Sequence, residues 1–483
     1  MKKLDCLLIG YTGNNIEFEK QRLAAVTDKI IDIENPFNLA LAYLGTYLSK
    51  LNISYKYITS FDDELGLLNE ILTTQKVSVI AISTTFCINL DTLREIVKVI
   101  REINPNVKII IGGHFIAARI KQLDDDGCKI LFKKVGGDIL INSFYGEDIL
   151  GKIILAVNNG HGLDEIDNIF YKDKNGIHIT KSYYPEYKIN DFNIDWELFA
   201  DNMGRYIPIR TNVSCMSKCN YCTYSQNAGK YKEYDIEKLE KELWQIKNIG
   251  KTNVVEFIDS TFNVPPRRFK EILKMMIRNR FDFEWHSFLR CQFLDEESVS
   301  LMRRSGCKAV HLGFESGNQE MLNIMNKGVK IEDYFNGHSL LKKQGIMTTG
   351  LFFIGFPGET FETIKDTINF INTIQPDYYF IQPWMYDHAT PIKNYAEKYE
   401  LKGAEYNWSH KTMDSETAIK LAEQLPMLIK GAICRNMDVS WFFQLMANGY
   451  TVEELEGMEH KLNAIKFMDV IVDKEFIAKL GLS

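Results

Sequence analysis

Short apolar runs alternate with amphipathic helical patterns along most of this chain, and that alternation is typical of parallel sheets covered by helices. In residues 4–160 it predicts strands at Leu4–Ile9, Tyr55–Thr59, Val77–Ser83, Val107–Ile111 and Ile130–Val135. The helices predicted between them are Asn38–Lys50, Leu65–Thr74, Leu90–Ile103 and Gly146–Val157. We therefore predict a Rossmann-like first domain over residues 1–160.

Residues 161–204 are predicted as a connector. They contain a tight-turn sequence, Lys174-Asn175-Gly176, which predicts a hairpin. A second alternation of strands and helices follows. Its predicted strands are Ile207–Val213, Val254–Ile258, Glu284–Arg290, Ala309–Phe314, Thr348–Ile354 and Tyr378–Pro383. Six strand–helix units suit a partial barrel over residues 205–391 and are too few for a closed barrel of eight. Residues 392–483 show mostly helical patterns, so the predicted fold class is α/β with a helical C-terminal domain that caps the substrate.

Charge and hydropathy exclude several classes of function. The 483 residues include 57 Lys and Arg against 64 Asp and Glu, and this net charge of -7 disfavours nucleic-acid binding. No apolar run approaches the roughly 18 residues of a membrane span, and Asp5 interrupts the N-terminal stretch that could open a signal peptide. We expect a cytoplasmic protein that acts on a small molecule or peptide, with no nucleic-acid or membrane partner.

Three of the nine cysteines cluster, because Cys215, Cys219 and Cys222 form the motif C-x3-C-x2-C. Three thiolates leave one iron of a 4Fe–4S cluster open, and an open iron can bind the amino and carboxylate groups of S-adenosylmethionine (SAM). A structural zinc site is the alternative, but zinc motifs normally add a second pair of Cys or His. The nearest histidines are His178 and His286, so the spacing favours the iron–sulfur cluster.

Four motifs at consecutive strand ends resemble those of the radical SAM superfamily. They are the cysteine motif with Tyr221 before its last cysteine, Phe257–Phe262, His311–Gly317 followed by Leu322, Met325, Lys327 and Gly328, and Phe353–Thr360. The resemblance implies that SAM binds at the carboxyl ends of the strands, where barrel active sites lie.

That resemblance also implies roles for individual residues. Glu315 is expected to accept hydrogen bonds from the ribose or ammonium group of SAM, and Arg290 to pair with its carboxylate. Asp259, at another strand end, is a further expected contact. Helix caps or rim ion pairs are the alternative for the two acidic residues. The backbone of Gly355, Pro357 and Gly358 is expected to approach the adenine closely.

The first domain resembles cobalamin-binding domains. Their S-x-L, G-G and G-E-G-E elements are similar to segments that contain Ser83, Thr85, Gly112, Gly113, His114, Gly146 and Glu147. D-x-H-x-x-G, which supplies a lower axial histidine, is absent, and Pro36-Phe37-Asn38-Leu39 stands at its expected place. The resemblance therefore implies base-off cobalamin with no histidine ligand and His114 as a pocket wall. A nicotinamide or flavin site is disfavoured because no G-x-G-x-x-G follows the first strand.

Residues 4–391 together resemble the cobalamin-binding (class B) radical SAM methyltransferases. In such enzymes one SAM yields a 5′-deoxyadenosyl radical that abstracts hydrogen from an unactivated carbon, while a second SAM remethylates the cobalamin that donates the methyl group. The expected acceptor is a carbon, or a phosphinate phosphorus, of a metabolite or peptide in natural-product biosynthesis. The expected electron donor is a flavodoxin or ferredoxin. The alternatives are a cyclase or rearrangement enzyme without methyl transfer, a methylthiotransferase with an auxiliary cluster, and a non-catalytic corrinoid or redox sensor.

The last predicted strand and the C-terminal domain are expected to select the substrate. The segment Gln382–Pro391 stands where relatives carry P-G-T-P, and Trp408–Met413 is similar to a W-x-H-x-T-M element of phosphinate P-methyltransferases. We therefore predict Tyr386, His388 and His410 as catalytic residues. Buried, hydrogen-bonded histidines are the alternative for His388 and His410.

Overall fold

The computed structural model describes residues 2–13, 15–87, 89–183, 186–468 and 470–481, and the chain forms two compact units. The first comprises Met1–Gln21, Glu34–Gly204 and Lys241–Gly250, and the second comprises Arg22–Ile33, Arg205–Glu240 and Lys251–Ser483. Residues 161–204, predicted as a connector, thus lie in the first unit, and residues 392–483 lie in the second. In these described ranges no helix has the length and apolar character needed to cross a bilayer.

A seven-stranded sheet forms the centre of the first unit, with the strand order β2-β1-β3-β4-β5-β6-β7. Its strands are β1 (Lys2–Ile9), β2 (Tyr55–Ile58), β3 (Gln75–Ser83), β4 (Lys108–Gly112), β5 (Ile139–Ile141), β6 (Ile169–Asp173) and β7 (Gly176–Ile179). The first five are parallel, and β6 and β7 form the predicted antiparallel hairpin. The strand order reverses between β1 and β3, and ligands of such sheets bind at this point, outside the carboxyl ends of the strands.

Helices cover both faces of this sheet. They are α1 (Ile16–Ala24), α2 (Leu39–Lys50), α3 (Leu65–Thr74), α4 (Leu90–Ile103), α5 (His114–Ile120), α6 (Asp125–Val135) and α7 (Glu147–Asn159). Successive strand residues point to opposite faces, so Leu7 and Ile9 of β1 join one apolar cluster and Leu8 joins the other. The predicted Rossmann-like layering is confirmed.

The strand predicted at Ile130–Val135 is wrong, because these residues end helix α6. The Asp124 side chain caps the helix by accepting a hydrogen bond from Gly127 N–H at 2.8 Å. The buried residues Cys128, Leu131, Phe132 and Val135 recur at helical spacing. The strand that follows, β5, has only three residues, too few to show a period in the sequence.

The second unit contains a parallel seven-stranded sheet in the order β19-β15-β14-β13-β12-β11-β8. The strands of this unit are β8 (Tyr206–Ile209), β9 (Asn212–Val213), β10 (Lys232–Glu233), β11 (Val254–Phe257), β12 (Glu284–Leu289), β13 (Cys307–Glu315), β14 (Met347–Ile354), β15 (Tyr378–Pro383), β16 (Lys402–Ala404), β17 (Asn407–His410), β18 (Met413–Asp414) and β19 (Ile433–Cys434). The six predicted barrel strands are present, and β19 extends the sheet by a seventh.

The remaining helices lie between and after these strands. They are α8 (Tyr224–Asn227), α9 (Ile236–Ile249), α10 (Pro266–Asn279), α11 (Glu296–Arg304), α12 (Gln319–Ile324), α13 (Ile331–Lys343), α14 (Phe361–Ile374), α15 (Ala396–Tyr399), α16 (Ser415–Gln424), α17 (Val439–Ala447), α18 (Val452–Lys466) and α19 (Lys474–Lys479). The C-terminal segment is less helical than predicted, because β16, β17 and β18 form a small antiparallel sheet. These three strands have two to four residues each, and no apolar run in the sequence marks them.

Candidate active site

The loop that carries the three cysteines follows β9 and is held at its base by hydrogen bonds. The Ser214 hydroxyl donates to the carbonyl oxygen of Gly229 at 2.6 Å, and Ser214 N–H donates to the Tyr224 hydroxyl at 3.3 Å. The φ of Ser214 is 69°, which turns the chain sharply before Cys215. The cysteines therefore lie on a defined turn at the carboxyl edge of the sheet.

Each thiol of this loop receives an N–H donor. Ser217 N–H points to Cys215 Sγ at 3.5 Å, Tyr224 N–H to Cys222 Sγ at 3.4 Å, and Arg290 Nη2 to Cys219 Sγ at 3.1 Å. Such donors stabilise thiolates, which are the form that binds iron. Burial raises the pKa of the Cys222 thiol, and nearby Cys219 and Cys215 raise it further. The three thiols thus have their donors from one loop and from Arg290.

This donor set fits an iron–sulfur cluster. Within the ranges that the structure describes, no three or more His, Cys, Asp or Glu side chains are arranged to hold a metal ion. In a 4Fe–4S cluster each thiolate binds a different iron, so the cysteines have to surround the cluster rather than converge on one ion. Cys215, Cys219 and Cys222 are the residues that would hold it.

Arg290 is fixed at the end of β12 by a neighbouring amide. Its N–H donates to Asn263 Oδ1 at 3.0 Å, and Asn263 Nδ2 donates to its carbonyl oxygen at 2.8 Å. With the backbone clamped, the guanidinium reaches Cys219 Sγ and the carbonyl oxygen of Lys327, which is 2.9 Å from Nη1. The sequence analysis missed the fully buried Asn263. The predicted pairing of Arg290 with the SAM carboxylate remains a prediction.

Glu315 belongs to a buried triad with Lys327 and Tyr221. Lys327 Nζ lies 2.7 Å from Glu315 Oε1 and 3.0 Å from the Tyr221 hydroxyl, which donates to the same Oε1 at 2.9 Å. A register shift in β13 and a φ of 64° turn Glu315 into this position. Burial, with the charge of Glu315, raises the pKa of Tyr221 well above its usual value, so Tyr221 stays a donor. Lys327 is a functional candidate that the sequence analysis used only as part of a motif.

Asp259 fixes the base of the cysteine loop. Its carboxylate accepts hydrogen bonds from the N–H groups of Thr211 and Asn212 at 2.8 and 3.0 Å and from the Thr211 hydroxyl at 2.5 Å. Burial raises its pKa to about 6, while these bonds act in the opposite direction. This is neither a helix cap nor a rim ion pair. Its predicted contact with SAM remains a prediction.

The turn Gly355–Gly358 at the end of β14 is held from both sides. Gly355 N–H donates to Glu359 Oε2 at 2.5 Å, and its carbonyl oxygen accepts a hydrogen bond from His410 Nε2 at 3.1 Å. Both glycines have positive φ, 98° and 97°, and Pro357 between them is buried. A Cβ on Gly355 would lie 2.5 Å from the Trp408 ring. The glycine is thus required for this close contact.

His410 supports the turn at Gly355, and its predicted catalytic role remains a prediction. Its Nε2 donates to Gly355, its Nδ1 accepts a hydrogen bond from the Thr412 hydroxyl at 3.1 Å, and its ring stacks on Trp408. With both nitrogens engaged and the side chain only 7% exposed, His410 corresponds to the buried, hydrogen-bonded alternative. The Trp408–Thr412 pattern is therefore explained by support of the turn.

The other two predicted catalytic residues lie together after β15. Tyr386 is buried and stacks on Trp384 with 5.4 Å between ring centroids. His388 is exposed, and its ring lies 4.7 Å from that of Tyr386. Their catalytic roles remain predictions.

In the first unit, the predicted cobalamin residues lie at the carboxyl edge of the sheet. The hydroxyls of Ser83 and Thr85 are 3.1 Å apart. Thr84, which the sequence analysis did not select, is fully buried and donates to the carbonyl oxygen of Gly112 at 2.9 Å. A Cβ on Gly113, whose φ is 106°, would lie 3.0 Å from Thr84 N. Gly113 therefore lets the end of β4 approach the residues after β3, while Gly112 lies against Ile141 of β5.

The remaining predicted residues of this site begin helices. His114 starts α5, and its ring stacks on Phe144 with 4.2 Å between centroids, which suits a wall. Gly146 caps α7, and Glu147 is its first residue. The Tyr187 hydroxyl donates to Glu147 Oε1 at 3.4 Å. Their contacts with cobalamin remain predictions.

Asn38 is a further candidate in the loop before α2. Its side chain is 1% exposed, yet neither the amide nitrogen nor the oxygen has a hydrogen-bond partner among the described residues. It lies beside the end of β1, since a Cβ on Gly10 would be 2.6 Å from Asn38 Nδ2. A buried amide of this kind normally has a partner, so an unused polar group lies at the carboxyl end of β1.

Comparison with known proteins decides the family of the second unit. Residues 209–371 match the Radical SAM superfamily. The chain contains a radical SAM domain. Its cysteine loop, the Glu315 triad and the Gly355–Gly358 turn all lie within this matched segment.

Curated relatives match this chain over part of their length. An uncharacterized methyltransferase of Pyrococcus horikoshii is 24% identical over 59% of this chain and 61% of its own. An anaerobic magnesium-protoporphyrin IX monomethyl ester cyclase of Rubrivivax gelatinosus is 24% identical over 59% of this chain and 53% of its own. The chain thus spans between half and two thirds of these relatives.

Two solved structures share the fold across both units. The radical SAM methyltransferase TsrM of Kitasatospora setae, with tryptophan and a SAM analogue bound, aligns with a TM-score of 0.68 over 96% of this chain and 99% of its own, at 17% identity. The cobalamin-dependent radical SAM enzyme OxsB, with aqua-cobalamin bound, aligns with a TM-score of 0.69 over 99% of this chain and 75% of its own, at 14% identity. The predicted α/β fold is confirmed.

Changing Cys215, Cys219 or Cys222 to Ala is expected to remove most of the iron and sulfide from anaerobically reconstituted protein, because each thiolate binds its own iron. Cys291→Ala and Cys307→Ala are matched controls, since both thiols are buried in the core. Iron and sulfide assays, with electron paramagnetic resonance of the reduced protein, measure the outcome. A full cluster in the Cys219 variant would contradict the assignment.

His410→Ala is expected to weaken SAM binding about tenfold, since it leaves a buried carbonyl without its donor, a loss of roughly 1–3 kcal/mol. His410→Gln can still donate to Gly355 and should retain most of the affinity. His388→Ala, at an exposed position, is the control. Calorimetric titration with SAM in the absence of reductant measures each affinity. If His410→Gln binds SAM normally but loses turnover, a catalytic role is restored.

Proposed function

We propose that this protein is a cobalamin-dependent radical SAM methyltransferase that modifies a carbon, or a phosphinate phosphorus, of a small metabolite or peptide. The observation that carries the proposal is the turn of three cysteines, each with an N–H donor on its sulfur, at the carboxyl edge of the parallel sheet. When bound, the cluster supplies an electron to SAM and cobalamin supplies a transferable methyl group. The protein binds and orients these groups.

The charged residues around the cysteines suit SAM recognition. Glu315 is oriented by Lys327 and Tyr221, both of which donate to Oε1. We assign this carboxylate to the ribose or ammonium group of SAM, and the Gly355–Gly358 turn to its adenine. Arg290 holds Cys219 and lies at the neighbouring strand end, from which it can also reach a carboxylate.

The crevice of the first unit suits a corrinoid. Corrinoids carry amide side chains, and the buried carboxamide of Asn38 can both donate to and accept from an amide. Small residues lie at or directly after the ends of β1, β3 and β4, so few side-chain atoms project at this edge of the sheet. Asn38 also stands in the segment that replaces the axial-histidine motif, which supports base-off binding.

Two observations bear on the competing functions. Similarity to the monomethyl ester cyclases keeps a cyclase without methyl transfer as the second candidate. A methylthiotransferase needs cysteines for an auxiliary cluster, but Cys6, Cys87 and Cys128 are buried, and burial raises the pKa of Cys87 to about 12. Cys6 lies in strand β1 and Cys128 in helix α6, so the three thiols do not share one loop as Cys215, Cys219 and Cys222 do. The SAM-binding features in turn argue against a sensor that binds only corrinoid.

Electron supply and location follow from the cofactors. The cluster requires a low-potential reductant, for which a flavodoxin or ferredoxin is our candidate. Nine free cysteines and an oxygen-sensitive cluster suit a reducing compartment, so we place the reaction in the cytoplasm.

With reductant, cobalamin and SAM, the enzyme should form 5′-deoxyadenosine and S-adenosylhomocysteine in comparable amounts, because each turnover uses one SAM in each role. Candidate substrates from neighbouring biosynthetic genes are compared by product mass. Deoxyadenosine alone, with no added methyl mass, would indicate the cyclase. S-adenosylhomocysteine alone would indicate methyl transfer without a substrate radical. The Cys219→Ala protein is the control and should form no deoxyadenosine.

The cobalamin proposal has a separate spectroscopic test. The Co(II) form should bind base-off, and its paramagnetic resonance signal should lack splitting from a nitrogen ligand. His114→Ala should leave this signal unchanged, because His114 stacks on Phe144 as a wall. Nitrogen splitting that disappears in His114→Ala would show that His114 is the axial ligand. Asn38→Ala should bind cobalamin more weakly than the control Asn69→Ala, which changes an exposed asparagine of α3.

A further inference from the structure

The interior of the barrel contains a buried polar cluster that the proposed reaction does not use. It consists of His286 on β12, His311 on β13, Thr349 on β14, Tyr378 on β15 and Arg435 directly after β19, and we call it the barrel floor. None of these side chains is more than 4% exposed. Several of their polar atoms nonetheless have no partner among the described residues.

Arg435 presents one edge of its guanidinium without a partner. Nη1 donates to the Thr349 hydroxyl at 3.2 Å, whereas Nε and Nη2 have no acceptor in the described parts of the chain. Nε and Nη2 form the side of the guanidinium that binds two oxygen atoms of one anion at once. The group packs against the neighbouring rings of Tyr378 and Phe442, at 4.6 and 4.4 Å from their centroids. The free edge is therefore rigidly oriented.

The nearest carboxylates do not pair with this cation. Glu459 accepts the N–H groups of Asn436 and Met437 at 2.8 and 3.0 Å, and Asp438 caps α17 through Ser440. Neither forms an ion pair with Arg435. A buried guanidinium without an ion-pair partner is costly. Among the described residues Glu459 and Asp438 act on Arg435 only at longer range, and its Nε–Nη2 edge stays unused.

The neighbouring groups add donors. A hydrogen bond of 3.1 Å joins His286 Nδ1 to His311 Nε2. The other ring nitrogens, His286 Nε2 and His311 Nδ1, have no partner among the described residues, and neither has the Tyr378 hydroxyl. Burial, then the charge of Arg435, lowers the pKa of His311 to about 3, so the pair is neutral. Of its two outer nitrogens one carries hydrogen. Together with Arg435 the floor has more donors than acceptors.

Glu256 is the acidic residue on the strand beside His286. The Tyr206 hydroxyl donates to its Oε2 at 2.6 Å, and burial raises its pKa to about 7. It is therefore engaged by Tyr206 and only partly ionised at neutral pH. It does not neutralise the guanidinium edge of Arg435.

We propose that the barrel floor binds a two-oxygen anionic group, a carboxylate or a phosphinate, through the Nε–Nη2 edge of Arg435. The ring of Phe288, which is 36% exposed, lies 5.2 Å from that of His311, so the floor adjoins a partly exposed side chain of the barrel. The anion is an acidic group of the substrate or a free ion in the same place. The substrate alternative rests on the proposed function; the anion site does not.

The test measures the melting temperature of the full chain, without SAM, as sodium formate or sodium phosphinate is added. Sodium bromide at equal ionic strength is the control salt. Wild type should gain more melting temperature with the two oxyanions than with bromide, since a ligand that binds the native state stabilises it. Arg435→Lys keeps the charge but lacks the two-donor edge, so this difference should disappear. Arg267→Lys, at a 91% exposed position, is the matched control and should behave like wild type.

Thr349→Val, which removes the hydroxyl that orients Arg435, should weaken the oxyanion effect and serves if Arg435→Lys does not fold. Ion chromatography of denatured protein then separates the sources. One oxyanion released per chain identifies a resident ion, and none released, with the titration response intact, identifies a site open to substrate. Equal responses in wild type, Arg435→Lys and Thr349→Val would overturn the proposal and assign the floor to buried water. Failure of deoxyadenosine formation alone would instead count against the proposed reaction.

Discussion

The bond from Arg290 to the sulfur of Cys219 connects the reactive loop to the barrel. The cysteine turn has little regular structure of its own, and its position depends on groups at the strand ends. Asn263 fixes the backbone of Arg290, Arg290 fixes Cys219, and Asp259 fixes the first residues of the loop. Because parallel strands end at one edge, these contacts act on the same short segment. A cation on a cluster thiolate also bears on reduction, since hydrogen bonds to the sulfurs influence the potential of such clusters.

How far the sequence predicts this protein depends on the length of each element. Strands and helices of several residues show their period, and most of them were predicted within two residues of their ends. Strands β5, β18 and β19 are too short to show a period. The sequence therefore predicts the fifth strand at the end of α6 and not at β5. The apolar residues of Ile130–Val135 fit both periods, and the capping contact of Asp124 favours the helix.

The same limit applies to the site. The cysteines and Glu315 could be selected from the sequence because they lie in recognisable motifs, and Arg290 because it ends a predicted strand. Lys327 was visible in a motif but its partner was not, since the Glu315 contact requires the irregular register of β13. His410 could not be distinguished from a catalytic histidine, because its partner is a carbonyl oxygen 55 positions earlier in the chain. Arg435 gave no signal, since its unused edge becomes apparent only when the surrounding rings are in place.

The two hydrogen bonds made by the backbone of Gly355 limit how the C-terminal region can vary among related proteins. The Gly355 N–H is bound by Glu359 on the barrel and its carbonyl oxygen by His410 on the small C-terminal sheet. A segment that follows a barrel can usually be exchanged or lengthened without disturbing the core, but here one of its side chains completes the environment of a barrel turn. Grafting a C-terminal region from a relative would therefore require that Trp408 and His410 travel with it or be replaced by an equivalent pair. Natural variation in this region should be freest on the strand faces that point away from that turn.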